Sequence, residues 1–306
     1  MGFKTDQQMS EFQGWLTMLR ISNAPTIVSN VMVGLALALH IHLDTWSQRA
    51  NPPRLEMLKP VFIITGALLL VYFAGMILND AIDAARDKKH RSERPIPLGV
   101  INTREAWCTG FVMLTCGVLI SSLCSVETFV LVSILGGLVV LYTFVHTWLL
   151  PAIAIMAACR GLVCLAALSA FHIPVLHGLP LSLAVAIAAY TLLLTLIGRF
   201  ENSKKSRYSW LTWLMLLPVC IPAVLSDVSF DLSWIFLAMY AGWICLAWLD
   251  FRPSINQTRE GMHKLLAGFC LLDCVLIAFA GVYTLVLVSG VCFVLTVALH
   301  RKILGT

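Results

Sequence analysis

Asn79, Asp80, Asp83 and Asp87 stand in the stretch LNDAIDAARDKKHRSERPIPLG, residues 78–99, with the spacing N-D-x-x-D-x-x-x-D. On an α-helix each residue advances about 100°, so all four fall within an arc of about 100° and share one face. Carboxylates four residues apart repel each other, and an ionised acid costs about 2.5–3.5 kcal/mol at mid-bilayer, less toward the interface. Two arrangements would offset that cost. One is a solvated helix end whose acids pair with Arg86, Lys88 and Lys89. The other is a cation site in which hard oxygen donors converge on Mg²⁺, which takes one or two carboxylates and completes its shell with water and phosphate oxygens. The basic stretch that follows would then grip a diphosphate, arginine being able to bind it bidentately.

The elements that must position this face follow from composition. The 306 residues are 59% hydrophobic and 12% charged, with a mean hydropathy of +0.87. Soluble domains carry about 25% charge, so this composition excludes a soluble core and predicts an all-α, polytopic transmembrane bundle. Ten apolar runs are long enough to cross a bilayer, near 14–42, 60–86, 104–123, 127–147, 150–171, 180–199, 209–225, 232–249, 262–280 and 282–300. The acidic face emerges at the end of the second. The first run is long and is expected to tilt or break near Pro25; the seventh is short and kinked by Pro218 and Pro222. The last two, parted only around Gly281, read either as two spans or as one span plus a re-entrant piece, hence nine to ten in all. Ser10–Gln13 (S-x-x-Q) and Asn102–Glu105 (N-x-x-E) are start signals for the first and third helices. The polar N-terminus, MGFKTDQQMSEFQGWL, has no early apolar run and is not expected to be a cleaved signal. The ten cysteines show no CxxC pair or Cys/His ligand spacing and are expected to pack as small hydrophobes.

Basic residues orient the bundle. With ten spans, 17 of the 21 Lys and Arg fall on the side of the 87–103 loop, and only Arg49, Arg54 and Lys59 fall on the other. The positive-inside rule therefore puts that loop, both termini and the acidic face in the cytoplasm, as in a bacterial inner-membrane protein. Arg160 and Asp273 are left within spans five and nine, where each must face the bundle interior and find a partner. They either pair with each other as structural glue, or Arg160 lines a cavity and binds an acceptor carboxylate or the diphosphate.

NDAIDAARD followed by RSERPIPLGVINTREA resembles the first aspartate-rich motif of the UbiA superfamily of intramembrane prenyltransferases: NDxxDxxxD, a basic residue, RP, a small or apolar residue, Gly, and an Ala-starting helix. The first span, LRISNAPTIVSNVMVGLAL, is similar as well, and YTFVHTWLLPAIAIMAACRGL resembles the turn between spans four and five more loosely; together they cover roughly residues 14–280. The resemblance implies a single UbiA-like transmembrane domain over residues 1–306. It implies Mg²⁺-dependent transfer of a prenyl group from a polyprenyl diphosphate to a lipophilic acceptor, aromatic acceptors included, with membrane lipid as surroundings and no nucleic acid as partner. Asp83 and Asp87 would be catalytic, with Asn79, Asp80, Asp83, Asp87 and Glu201 holding metal. Arg91, Arg94 and Arg199 would contact diphosphate, Lys88 and Lys204 secondarily, and Arg20 and Asn23 would face the mouth. Tyr142, near the cytoplasmic end of span four, either contacts diphosphate or cation or belongs to the interfacial aromatic belt.

One departure stands out. Where the family carries a second motif, D-x-x-x-D or D-x-x-D-x-x-D, this chain reads GRFENSKKSR: Glu201 is the one acid, amid Arg199, Lys204, Lys205 and Arg207. That R-x-E form resembles a divergent branch found in Ebo-type metabolite clusters. A UbiA-like transporter or accessory membrane protein without prenyl transfer is therefore the alternative reading.

Overall fold

The computed structural model describes residues 10–47, 58–176, 178–200, 209–226, 232–251 and 258–302. Among them all regular structure is helical. Glu201 and Lys204, with Asn202, Lys205 and Arg207, lie outside the described residues.

The chain opens with α1 (Glu11–Met18), whose Ser10 side chain accepts from the Gln13 amide while the Gln13 side chain accepts from the Ser10 amide. Both halves of the capping box are thus formed, satisfying two otherwise orphaned amides. The first apolar run is broken, as its length suggested, but the break precedes Pro25. Arg20 takes a left-handed conformation (φ 45°, ψ 51°), a 3₁₀ turn follows at Ile21–Asn23, and α2 runs from Ala24 to Ser47. Pro25 then sits in the first turn of α2, where a missing N–H costs nothing.

α3 (Leu58–His90) has 33 residues. At 1.5 Å per residue it is about 50 Å long, against a hydrocarbon layer of about 30 Å. Its C-terminal turns, which carry the acids, therefore overhang the apolar layer. α4 (Thr103–Ser121) starts at Asn102, whose box with Glu105 is formed, and α5 (Val126–Val145), α6 (Leu149–Ala170) and α7 (Gly178–Phe200) follow. The seventh run is a 3₁₀ helix, Ser209–Val219, containing Pro218, continued by the short α8 (Cys220–Leu225). α9 (Ser233–Asp250), α10 (Thr258–Phe279) and α11 (Tyr283–Lys302) complete the bundle. Gly281 (φ 72°) turns the chain between the last two, which pack against each other as separate helices rather than as a span and a re-entrant piece.

Among the described residues eight helices are long and apolar enough to cross a membrane; Trp210–Leu225 is a shorter apolar segment, and α4 is diluted by its polar first turn. Large apolar side chains such as Phe62, Leu150 and Val224 are exposed on the outer face, a surface that suits hydrocarbon. α2 and α10 are the most enclosed, with Ala267 through Phe279 buried without a gap. Their neighbours are α6, α7, α9 and α11 around the centre, while α3 packs chiefly on α4.

Small residues set that last approach. A Cβ on Gly117 of α4 would lie 2.8 Å from the Ala67 carbonyl oxygen and 2.9 Å from Val71 Cγ2, whereas one on Gly137 of α5 would meet nothing within 4 Å. Gly117→Ala is accordingly expected to destabilise the bundle by about 1–3 kcal/mol, since backbone must shift to make room. Gly137→Ala should be neutral or slightly stabilising. Thermal unfolding of the two variants in detergent checks this; equal midpoints would mean that the α3–α4 contact is loose.

Candidate functional site

The acid-bearing face is enclosed. Asp80, Asp83 and Asp87 are 8%, 6% and 3% exposed, which a merely solvated helix end would not produce. What surrounds them is a set of cations drawn from several elements. Arg94 Nη1 donates to Asp87 Oδ2 at 2.6 Å and to Asp80 Oδ1 at 3.1 Å. Arg20 Nη2 reaches the same Asp80 oxygen at 3.5 Å. Asp83, between them, is held by Arg86 Nη2 at 2.8 Å and by His146 Nε2 at 3.0 Å. Among the described residues no three His, Cys, Asp or Glu side chains are gathered as a metal site. Asn79 Oδ1 is buried with no hydrogen-bond partner.

Local structure explains how the arginines arrive. After His90 the chain folds back in turns closed by Arg91 N–H to the Asp87 carbonyl (2.7 Å) and Leu98 N–H to the Arg94 carbonyl (3.0 Å). Ile96 and Ile101 bury against Met18, Ile77, Ala81 and Ala106, so a small apolar clasp pins this loop to α1, α3 and α4. Arg94 is thereby set over the acids. Arg20 is held by its strained backbone: the Tyr72 hydroxyl donates to the Arg20 carbonyl at 3.0 Å, offsetting part of the cost of a left-handed non-glycine residue.

These groups border a cavity of about 890 Å³ that runs down between α2, α3, α5, α6, α7 and α10. Its mouth carries Arg20, Asn23, Arg91, Glu93, Arg94 and Arg259; its body is mostly apolar and aromatic, with Leu68, Val71, Tyr72, Val139, Met156, Leu194 and Phe269. The acids lie directly behind Arg20 and Arg94. Asn23 Oδ1 accepts from His300 Nε2 at 3.0 Å, so the end of α11 lies at the same end of the bundle as the mouth. An even number of crossings follows.

The structure brings together Asp80, Asp83, Asp87, Arg20, Asn23, Arg91, Arg94 and Tyr142 at this end, the last also lining the cavity. Arg199 is placed differently from a cavity contact: it is exposed and donates to the His146 carbonyl at 2.7 Å. Lys88 is exposed on α3 and does not line the cavity. Arg160 does line it, about three turns into α6 and so about 16 Å along the axis from the His146 end. Arg160 and Asp273 do not touch. Asn30 stands between them, its Nδ2 donating to both Asp273 oxygens (2.9 and 2.7 Å) and its Oδ1 accepting from Arg160 Nη1 (3.3 Å). Arg160 Nη2 also donates to Thr26 Oγ1 at 2.8 Å, and the guanidinium lies over the Phe269 ring at 4.7 Å.

His146, Tyr72, Asn30 and Arg259 were not singled out by sequence reasoning. His146 alone had a readable signal: a histidine at the end of an apolar run, on the side to which hydropathy assigns the acids.

The sequence pattern of the UbiA prenyltransferase family matches residues 27–263. The fold is similar to solved structures of digeranylgeranylglyceryl phosphate synthase (17% identity, TM-score 0.60, 88% of this chain and 98% of that one) and of a UbiA homolog from Archaeoglobus fulgidus bound to GPP and Mg²⁺ (14%, 0.54, 89% and 99%). The same homolog bound to DMAPP and Mg²⁺ gives 14%, 0.53, 88% and 99%. At such identities the likeness is one of fold. No curated protein matches in sequence. With the family pattern spanning most of its length, over a helical bundle of the same shape, this chain belongs to the UbiA prenyltransferase family.

Proposed function

We propose that the protein transfers a prenyl group from a polyprenyl diphosphate to a lipophilic acceptor, with Mg²⁺, at the cytoplasmic face of a membrane. One observation carries the reading: a buried row of acids lies behind an arginine-lined mouth that opens into an apolar cavity within the bundle. A diphosphate suits the first part of that surface and an isoprenoid tail the second.

The residues fit Mg²⁺ by donor chemistry. Asp80, Asp83 and Asp87 supply hard carboxylate oxygens, and the unpartnered Asn79 Oδ1 is a buried neutral oxygen beside them. Glu201, on the chain beyond α7, would add at most one further carboxylate. Bound there, Mg²⁺ supplies charge to the departing diphosphate.

The chain's own groups do the rest. Arg91, Arg94, Arg20 and Arg259 meet the negative charge that grows on the leaving oxygens as the allylic C–O bond ionises, and a charge aimed at the transition state lowers its barrier. Arg199 serves from the α7 side by holding the His146 backbone. Tyr72 and Tyr142 line the cavity and offer aromatic rings to a carbocation. The apolar walls keep water from capturing it. Arg160, deep in the same cavity, hydrogen-bonds the polar group of the acceptor.

Purified protein incubated with Mg²⁺, prenyl diphosphates of graded length and lipophilic acceptors is expected to release inorganic diphosphate, dependent on metal. Saturable retention of the lipid with no release under any metal condition would favour the non-catalytic carrier.

A further inference from the structure

The proposed reading needs Asp80, Asp83 and Asp87 to face one cation, yet each is already engaged by cationic side chains or histidine of this chain. Asp80 and Asp87 are two turns apart on α3, about 10 Å along the axis. A single nitrogen, Arg94 Nη1, joins them at 3.1 and 2.6 Å. Asp83 is turned to Arg86 and His146 instead. Three aspartates thus meet Arg20, Arg86 and Arg94, and a divalent ion approaching this face finds charge already compensated.

We infer that Arg94 is a positioning residue that stands in for the divalent cation between Asp80 and Asp87, and that a diphosphate draws it off so that metal and diphosphate enter together. This rests on the prenyl diphosphate reading above. The geometry makes Arg94 the one that moves. It lines the mouth, and its side chain is 20% exposed. Its loop is pinned independently by Ile96 and Ile101. Side-chain torsions alone therefore carry the guanidinium from acids to cavity while the backbone stays. Arg20 is tied more tightly, through its left-handed backbone and Tyr72. Arg91 lines the same mouth and makes no ion pair among the described residues, so it provides the first contact for an anion. Once Arg94 turns to the diphosphate, the negative charge of Asp80 and Asp87 is left uncompensated and attracts the metal. By linkage the metal must strengthen diphosphate binding by the same factor.

The test is Mn²⁺ binding to the purified full chain by equilibrium dialysis, with and without inorganic pyrophosphate, reading bound Mn²⁺ by electron paramagnetic resonance and correcting from the protein-free side for the soluble Mn–pyrophosphate complex. Wild type is expected to bind Mn²⁺ weakly alone and much more tightly with pyrophosphate. A neighbouring cation shifts a carboxylate's affinity for a proton by about 1–3 pKa units, and Mn²⁺ competes for the same charge. Arg94→Gln is therefore expected to tighten Mn²⁺ binding without pyrophosphate by about tenfold or more, and to shrink the pyrophosphate enhancement. Arg94→Lys, which keeps a charge, should retain the weak metal-only binding. Arg94→Gln that leaves metal-only affinity unchanged or weaker overturns the inference, as does Arg94→Lys behaving like Arg94→Gln. Saturable pyrophosphate-dependent Mn²⁺ binding in all three proteins, with no effect of the substitutions, removes the Arg94 role and leaves the proposed function standing. Absence of saturable binding in every protein and condition removes both.

Discussion

Asp83→Asn is expected to release inorganic diphosphate from a prenyl diphosphate about two to three orders of magnitude more slowly than wild type, the loss typical of removing one preorganised charge from a transition-state site. Asp83 is the middle acid of the row and 6% exposed, with its two oxygens on Arg86 and His146. Asparagine keeps its volume and an accepting oxygen but removes the negative charge on which a divalent cation depends. The fold should survive. Arg86 is half exposed, so water can solvate its guanidinium once the carboxylate charge is gone, while the asparagine oxygen can still accept from it. The measurement is diphosphate release together with thermal unfolding of the same preparation. A variant of normal stability and undiminished rate would take Asp83 out of the chemistry.

The largest stability effect is expected at Asp273. Its carboxylate is fully buried and accepts both of the hydrogen bonds made by Asn30 Nδ2. Asp273→Leu would strand that amide and leave the Arg160 charge uncompensated within the bundle. Breaking a buried pair from one side costs about 3–5 kcal/mol. Arg160→Leu/Asp273→Leu removes both charges, and well-packed apolar replacement is often neutral or better, so the double variant should recover much of the loss. A double-mutant cycle on unfolding in detergent reads the coupling. Additive effects would mean that Asn30 transmits nothing between the two charges. The charge exchange, Arg160→Asp with Asp273→Arg, has a specific requirement: Asn30 must rotate its amide by half a turn so that Oδ1 faces the new arginine. A folded, stable double variant that no longer responds to acceptor would place Arg160 in substrate binding as well as in the network.

The readable features of this protein are those whose free energy is local in sequence. A run of apolar residues long enough for the bilayer declares a span whatever surrounds it, and the ten runs coincide with α2 to α7, the Ser209–Leu225 segment and α9 to α11. A side-chain cap closes on amides two or three residues away, so Ser10 and Asn102 announced their helices correctly. The common face of Asn79, Asp80, Asp83 and Asp87 follows from helical geometry alone. The irregularity of the seventh run, a 3₁₀ segment containing Pro218 that leads into a short α-helix, was announced by its two prolines.

What the tertiary structure alone decided is the company those residues keep. In a bilayer the outward and inward faces of a helix are both apolar, so periodicity carries little about rotation or neighbours. Nothing in the span that ends at His146 tells that it faces Asp83 across 63 positions, or that Tyr72 reaches back to the Arg20 carbonyl. The two intramembrane charges were visible from composition, but Asn30 between them was not, because it sits on a third helix. Arg94 is the sharpest case: its charge was evident, whereas its place between two acids depends on the apolar clasp that folds the loop back over α3.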